Sequence, residues 1–266
     1  YFSVRFPQVD RDSWQRRINR GELVDECGSQ LSLEHRYRVG ACIYYYRERA
    51  IETKIPFQET ILYQNDELLV VDKPHFLPVT PGGRFLQETL LVRLKRTTGI
   101  ESLTPIHRLD RETAGVMMLS VNKNTRSLWQ SLFRKKLVNK YYEAIASYRE
   151  DLPFPIERES RIERDDLFFL MKEIDGSPNS HTRIEFLERH GDLARYGLTP
   201  VTGKMHQLRV HMNALGLPIL NDSFYPNPLP SGLDDFSHPL KLLAKSISFI
   251  DPITGESRRF TSKQSL

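Results

Sequence analysis

The residues best placed to do chemistry lie in the string Pro105-Ile-His-Arg-Leu-Asp-Arg-Glu-Thr-Ala-Gly115, a charge-dense turn set directly before the apolar run Gly115–Val121. Asp110 stands between Arg108 and Arg111. Spacing alone allows two readings. Asp110 is either a salt-bridged surface carboxylate at a strand edge, or a carboxylate that arginines hold ionised and away from water, the state a carboxylate nucleophile requires. His107 and Asp110 do not make a metal site, because one imidazole and one carboxylate with no third donor in reach fall short of the usual ligand count.

A second string, Thr202-Gly-Lys-Met-His-Gln-Leu-Arg-Val-His211, reads as a glycine turn launching a helix that runs to Leu215 and stops at Gly216. Met205, Leu208, Met212 and Leu215 recur at helical spacing and form its expected buried stripe. His206, Arg209 and Asn213 share the adjacent face, so Arg209 is expected half-buried at the rim, where a guanidinium wants a carboxylate partner. His206 and His211 read as structural histidines rather than metal ligands. No glycine-rich phosphate loop or metal-ligand cluster occurs.

These strings need a scaffold, and the 266 residues are enough for one large domain with a small attachment. Hydrophobic residues make up 39% and charged residues 27%, which excludes disorder and supports a real core. No run approaches the roughly 18 apolar residues of a membrane span. The opening YFSVRFPQVD has no signal core and no initiating Met, so a soluble chain lacking a short N-terminal piece is expected. Two isolated cysteines, Cys27 and Cys42, suit a reducing cytoplasm.

Residues 1–50 read as a small module: an Arg-rich helix in SWQRRINRGELV ended by Gly21, turn residues from Glu26 to Gln30, and a strand in RVGACIYYYRE. Residues 51–56, closed by Pro56, read as a linker, and residues 57–266 as the main domain. There, ELLVVDKP and GVMMLSV suit buried strands, and Leu86–Thr98 suits a helix. A helix capped by Asn122 is expected to turn Leu128, Trp129, Leu132 and Phe133 inward. Further strands lie in VNKYYEAIA, LFFLMKE, HTRIEFLER and LARYGLTPV. Many strands and few helices, without the spacing of parallel crossovers, predict an α+β fold with a large mixed, mainly antiparallel sheet.

The formal charge of +4 is a weak sign, but it is unevenly placed. Arg84–Tyr142 carries 12 Lys and Arg against 4 Asp and Glu, and residues 150–192 carry 6 against 12. The basic block suits a polyanion-facing surface with the acidic block turned away; two ordinary solvated faces would show the same counts.

Four strings in this order, YQNDELLVVDKPHFLPVTP, PIHRLDRETAG, KYYEA and TGKMHQLRVHMNALGLPILND, resemble the pseudouridine synthases of the RluA type over about Ile55 to Phe260. The N-terminal string resembles the later part of an S-four-type RNA-binding domain. The resemblance implies a pseudouridine synthase fold with a central RNA-binding cleft, an isomerase working without cofactor or metal, RNA (ribosomal or transfer) as partner, and a monomer. By motif it implies Asp110 as the catalytic aspartate, Arg209 as its paired arginine, and Tyr142 as the ring lying against the uracil and helping with the proton. Arg108 is implied as the residue that replaces the flipped uridine in the stack. His107, Arg111, Lys140, Lys204 and His206 are expected to contact RNA, with Leu208 and Leu119 helping to wall the base pocket. Three positions depart from the family's usual residues: Ala114 for Ser, Leu243 for His, and Asp251 for His.

Rival classes are a catalytically inactive RNA-binding factor and an aspartate-dependent nucleoside hydrolase. The first is at odds with an intact Asp110, Tyr142 and Arg209. The second would want another catalytic carboxylate nearby, for which Glu112 is the local candidate.

Overall fold

The structure, a computed structural model, describes residues 1–7, 9–45, 52–167, 169–229 and 235–266. The chain divides into two compact units, Tyr1–Ile51 and Glu52–Leu266. The boundary expected near residue 50, and the first residue of the expected linker, lie outside the described residues.

In the first unit, α1 (Phe2–Arg5) is followed by α2 (Arg11–Asn19), which Asp10 caps by accepting the Ser13 amide. Gly21 then turns the chain at φ +69°, a conformation that suits a residue without a Cβ. Strands β1 (Leu23–Asp25) and β2 (Ile43–Tyr45) pair antiparallel, with Leu23 opposite Tyr45. The core is small: Trp14, Leu23 and Leu31, with Phe2 and Phe6 against them.

The second unit contains β3 (Thr60–Gln64), β4 (Leu68–Lys73), α3 (Leu90–Thr98), β5 (Thr104–Pro105), β6 (Ala114–Ser120), α4 (Arg126–Arg134), β7 (Asn139–Ser147) and β8 (Ile156–Arg164). It continues with β9 (Met171–Ile174), β10 (Ser180–His190), β11 (Leu193–Pro200), α5 (Gln207–Ala214), β12 (Leu242–Ile250) and β13 (Ser257–Thr261). Among the described residues the strands make one sheet of order β3-β4-β6-β12-β7-β11-β10-β8-β9, with β5 on β6 and β13 on β12. Its pairings are antiparallel except β6 with β12, so the sheet is mixed and mainly antiparallel, as the sequence predicts.

The near-continuous apolar runs in β4 and β6 follow from burial on both faces. Leu69, Val71, Met117 and Leu119 pack with Leu90 and Leu94 of α3, whereas Leu68, Val70, Val116 and Met118 pack with Trp129 and Leu132 of α4. Each such side chain contributes about 1.5–3 kcal/mol by leaving water, so these two strands form a rigid floor for the loops at their ends. A third cluster seats Leu208 and Met212 of α5 on Ala144, Tyr196 and Leu198 of β7 and β11.

Some local expectations shift, each for a traceable reason. The expected linker is anchored to the second unit: Ile55 is fully buried, and the Glu52 carboxylate accepts the amides of Leu86, Gln87 and Glu88. That same clamp holds 86–88 in a turn, so α3 begins after Thr89, whose hydroxyl accepts the Val92 amide. Asn122 does not cap α4; it binds the Asn124 amide and Glu67, and Leu128 faces outward while Trp129 and Leu132 are buried. Helix α5 starts at Gln207 rather than Gly203, because the Gln207 side chain takes the Lys204 amide and the Thr202 hydroxyl, and His206 turns left-handed at φ +54°. Two departures from the family's residues meet here. Ala114 and Leu243 are register partners across β6 and β12 and both are buried, so an apolar pair occupies both positions together.

Candidate active site

The loop between β5 and β6 carries Asp110, and four contacts fix its path. The His107 Nε2 accepts the Met118 amide of β6 at 3.1 Å. The Lys73 ammonium, fully buried at the end of β4, donates to the carbonyls of Pro74, Leu77 and Arg111 at 2.9–3.1 Å. His75 Nδ1 donates to the Glu112 carbonyl at 2.7 Å, and the Thr113 amide returns to the Asp110 carbonyl. Lys73 and His75 come from the β4 end of the scaffold, so the loop's position follows from the two-faced burial of β4 and β6.

Asp110 lies partly exposed, its Oδ2 at 3.7 Å from Arg209 NH1 and its Oδ1 at 3.9 Å from His206 Nε2. These are ion-pair distances rather than hydrogen bonds. Arg209 is fully buried rather than half-buried as expected, and its hydrogen bonds go elsewhere: Nε and NH2 to Asp222, and NH2 to Glu112 Oε2 at 2.9 Å. Burial works against the guanidinium charge, but Asp222, Glu112 and Asp110 outweigh it and hold its pKa above the usual arginine value. Helix α5 is therefore enclosed all round from Gln207 to Met212, instead of showing one apolar stripe. His211 is satisfied by Ser160, Ser180 and Thr182, and burial draws its pKa down to about 4.

Around Asp110 opens a cleft of about 680 Å³. Tyr142 of β7, Leu208 of α5 and Leu242 of β12 supply its apolar wall. Burial, and then the Asp110 charge, push the Tyr142 hydroxyl well above its ordinary pKa, so the phenol stays protonated at neutral pH. Arg108, Lys140, Lys204 and His206 line the same cleft, with Arg108 and Lys204 exposed. Lys140 donates to the Thr202 carbonyl at 2.9 Å, and burial, aided by Lys136, draws its pKa down to about 8.

His107, Arg111 and Leu119 each meet partners that the sequence does not show. His107 lines the cleft, but burial, aided by Lys140, draws its pKa down to about 3, so it is neutral and cannot offset a phosphate; its ring stacks on Phe133 with centroids 4.6 Å apart. Arg111 turns the other way, with Nε on the Phe76 carbonyl and its guanidinium over the Phe85 ring. Leu119 belongs to the core beneath the sheet and does not line the cleft. Glu112, the local candidate for a second catalytic carboxylate, has both oxygens engaged, by Arg209 and by the Ser223 hydroxyl. Asp251 takes the amides of Ile253 and Thr254 in the β12–β13 turn, away from the cleft.

Sequence reasoning passed over Lys73, Asp222, Arg134 and Lys136. Arg134 and Lys136 stand exposed on the cleft wall beside Arg108. Lys73 had a signal, an ammonium ending an apolar run; Asp222 had none beyond lying in the last of the four strings.

The profile of the RNA pseudouridylate synthase family matches residues 67–214, which contain this loop, Tyr142 and Arg209. The chain belongs to that family. Among its relatives, the dual-specificity RNA pseudouridine synthase RluA of Haemophilus influenzae is 35% identical over 212 residues, covering 76% of this chain and 92% of the relative. An uncharacterized RNA pseudouridine synthase of Synechocystis is 30% identical over 236 residues, 86% of this chain and 80% of the relative. The structure of human RNA pseudouridylate synthase domain containing 4 superposes with a TM-score of 0.60 at 30% identity, over 77% of this chain and 88% of that one. Human RNA pseudouridylate synthase domain containing 1 shares the fold with a TM-score of 0.65 at 24% identity, over 80% and 86%. The protein is thus an RNA pseudouridine synthase, an isomerase acting on RNA, and among the described residues no helix is long and apolar enough to cross a membrane.

Proposed function

We propose that the enzyme flips specific uridines out of structured ribosomal or transfer RNA and isomerises them with Asp110 as the catalytic carboxylate. The carrying observation is that Asp110, Tyr142 and the NH1 edge of Arg209 meet in one cleft rimmed by exposed cations. The reaction breaks the bond from uracil N1 to C1′ and forms one from C5 to C1′; the C5 proton leaves and N1 gains one, so no atoms are added or lost. A base inside a stacked helix cannot reach Asp110, and extruding it costs a few kcal/mol. Arg108, exposed at the cleft, fills the gap left in the stack, and the Tyr142 ring is the platform for the uracil. Because Tyr142 is held protonated, it passes a proton on as a phenol and does not act as a phenolate base. Arg209 presents positive charge to Asp110 from a buried position.

Lys140, Lys204 and the exposed rim hold the RNA backbone. The first unit serves as a degenerate S-four-type RNA-docking module, supported by exposed Arg11, Arg16 and Arg20 on or next to α2. The cleft is complete within one chain, which supports action as a monomer, and exposed, unbonded Cys27 and Cys42 suit a reducing cytoplasm.

The test maps pseudouridine in total RNA from cells with the protein, without it, and with Asp110→Asn. Sites that vanish on deletion and stay absent with Asp110→Asn, while the variant still binds RNA, support the reading. Sites that survive Asp110→Asn overturn it.

A further inference from the structure

The four residues Asp222-Ser-Phe-Tyr225 reach Arg209, Glu112 and His206, and two of these, Arg209 and His206, face the Asp110 carboxylate. Asp222, with a fully buried side chain, accepts Arg209 Nε on Oδ2 at 2.8 Å and Arg209 NH2 on Oδ1. Its Oδ1 also takes the amides of Phe224 and Tyr225, at 2.8 and 3.1 Å, which fixes the turn. The Ser223 hydroxyl donates to Glu112, and Glu112 holds the same Arg209 NH2. The Phe224 ring lies 4.7 Å from the Arg209 guanidinium carbon, and the Tyr225 hydroxyl meets His206 Nδ1 at 3.1 Å.

A guanidinium has five N–H groups in a rigid fork. Asp222 takes the Nε–H and one NH2 hydrogen, and Glu112 takes the other NH2 hydrogen. What is left is NH1, the nitrogen that faces Asp110 at 3.7 Å. We infer that Asp222 is a positioning residue for the isomerisation: by gripping the far edge of Arg209 it fixes which edge faces Asp110. This rests on the reading of Asp110 as the catalytic carboxylate. Asp222 touches no reacting atom and acts through Arg209.

Asp222→Asn tests this. The amide keeps an acceptor for the turn but sets an NH2 group against Arg209 Nε–H, so the grip fails while the shape is kept. Single-turnover rates and dissociation constants are measured on the RNA that gains pseudouridine when RNA from deletion cells is treated with wild-type enzyme. The rate is expected to fall about 100-fold, the scale of a small misplacement of a catalytic group, with the dissociation constant unchanged. In an Arg209→Lys background, Asp222→Asn is expected to lower the rate no further. A rate equal to wild type, or an equal loss in both backgrounds, overturns the inference. The nitrogen-15 resonance of Arg209 Nε, assigned by its loss in Arg209→Lys, gives an activity-independent readout: it must shift in Asp222→Asn, and an unmoved resonance overturns the inference. Should Asp110→Asn prove as active as wild type, the reading of Asp110 falls, and the resonance still decides whether Asp222 orients Arg209. If Asp222→Asn does not fold, Arg209→Gln with Asp222→Asn restores a neutral hydrogen-bonded pair; its rate should equal that of Arg209→Gln alone, and a lower one overturns the inference.

Discussion

Lys140 shows how one residue's surroundings set its chemistry. Its ammonium is half-buried beside Lys136, and its pKa is drawn down to about 8. A lysine is cationic below its pKa, so the cleft loses this charge as pH rises through 8, whereas an ordinary lysine would keep it past 10. RNA affinity at fixed salt should therefore weaken between pH 7 and 9 by roughly tenfold, about 1.4 kcal/mol, close to the low end of the ~1.5–3 kcal/mol of a hydrogen bond to a charged group. Lys140→Gln should bind more weakly at pH 7 and show a flat profile, as measured by filter binding. A flat wild-type profile would exclude this role. His107, a few residues from Asp110, shows the opposite case: it was readable as an RNA contact from its place in a basic string, yet burial leaves it neutral and engaged with Met118.

At the scale of elements, the site depends on β6 and β12 running side by side in parallel at Gly115 and Ala244. Gly115 has φ +115°, and a Cβ built there would lie 2.3 Å from the Ala244 carbonyl oxygen. Neither the backbone angle nor the space admits a side chain. Gly115→Ala should cost at least about 3 kcal/mol, read from urea denaturation, and should disturb the Asp110 loop that leads into this strand. Stability within about 0.5 kcal/mol of wild type, the range of a neutral surface change, would show that the strands separate more easily than this geometry allows. The glycine was visible in the sequence as the end of the charge-dense string, but its reason was not, because Ala244 comes from a strand far along the chain.

Across the whole molecule, charge is sorted by the order of the strands. The acidic block falls on β8, β9 and β10 at one end of the sheet, where cross-strand pairs such as Arg158 with Glu173 and Arg183 with Glu157 absorb much of it. From the basic block Arg108, Arg134, Lys136 and Lys140 line the cleft, and Lys204 joins them from a later loop, with Arg108, Arg134, Lys136 and Lys204 exposed. Four phosphate contacts, from Arg134, Lys136, Lys140 and Lys204, predict that log affinity falls with log salt with a slope near −3, at ~0.7–0.9 per contact. Lys136→Gln should flatten the slope by about one contact's share, whereas Lys172→Gln on β9 should leave it unchanged. Equal effects of the two would mean that the cleft wall does not hold the RNA backbone.

The sequence by itself determined the strand-rich class, the buried β4 and β6, and the placing of Asp110, Tyr142 and Arg209 in separate strings. Those signals are local, since periodicity, apolar runs and turn residues need only a few neighbours to act. Tertiary structure alone decided the partners of the buried charges. Arg209 rests on Asp222 and Glu112 more closely than on Asp110, Lys73 reaches across 38 residues to the Arg111 carbonyl, and Arg111 turns away from the cleft. A buried charge is held by whatever dipoles and counter-charges the fold brings within a few ångströms, and that depends on how distant loops meet.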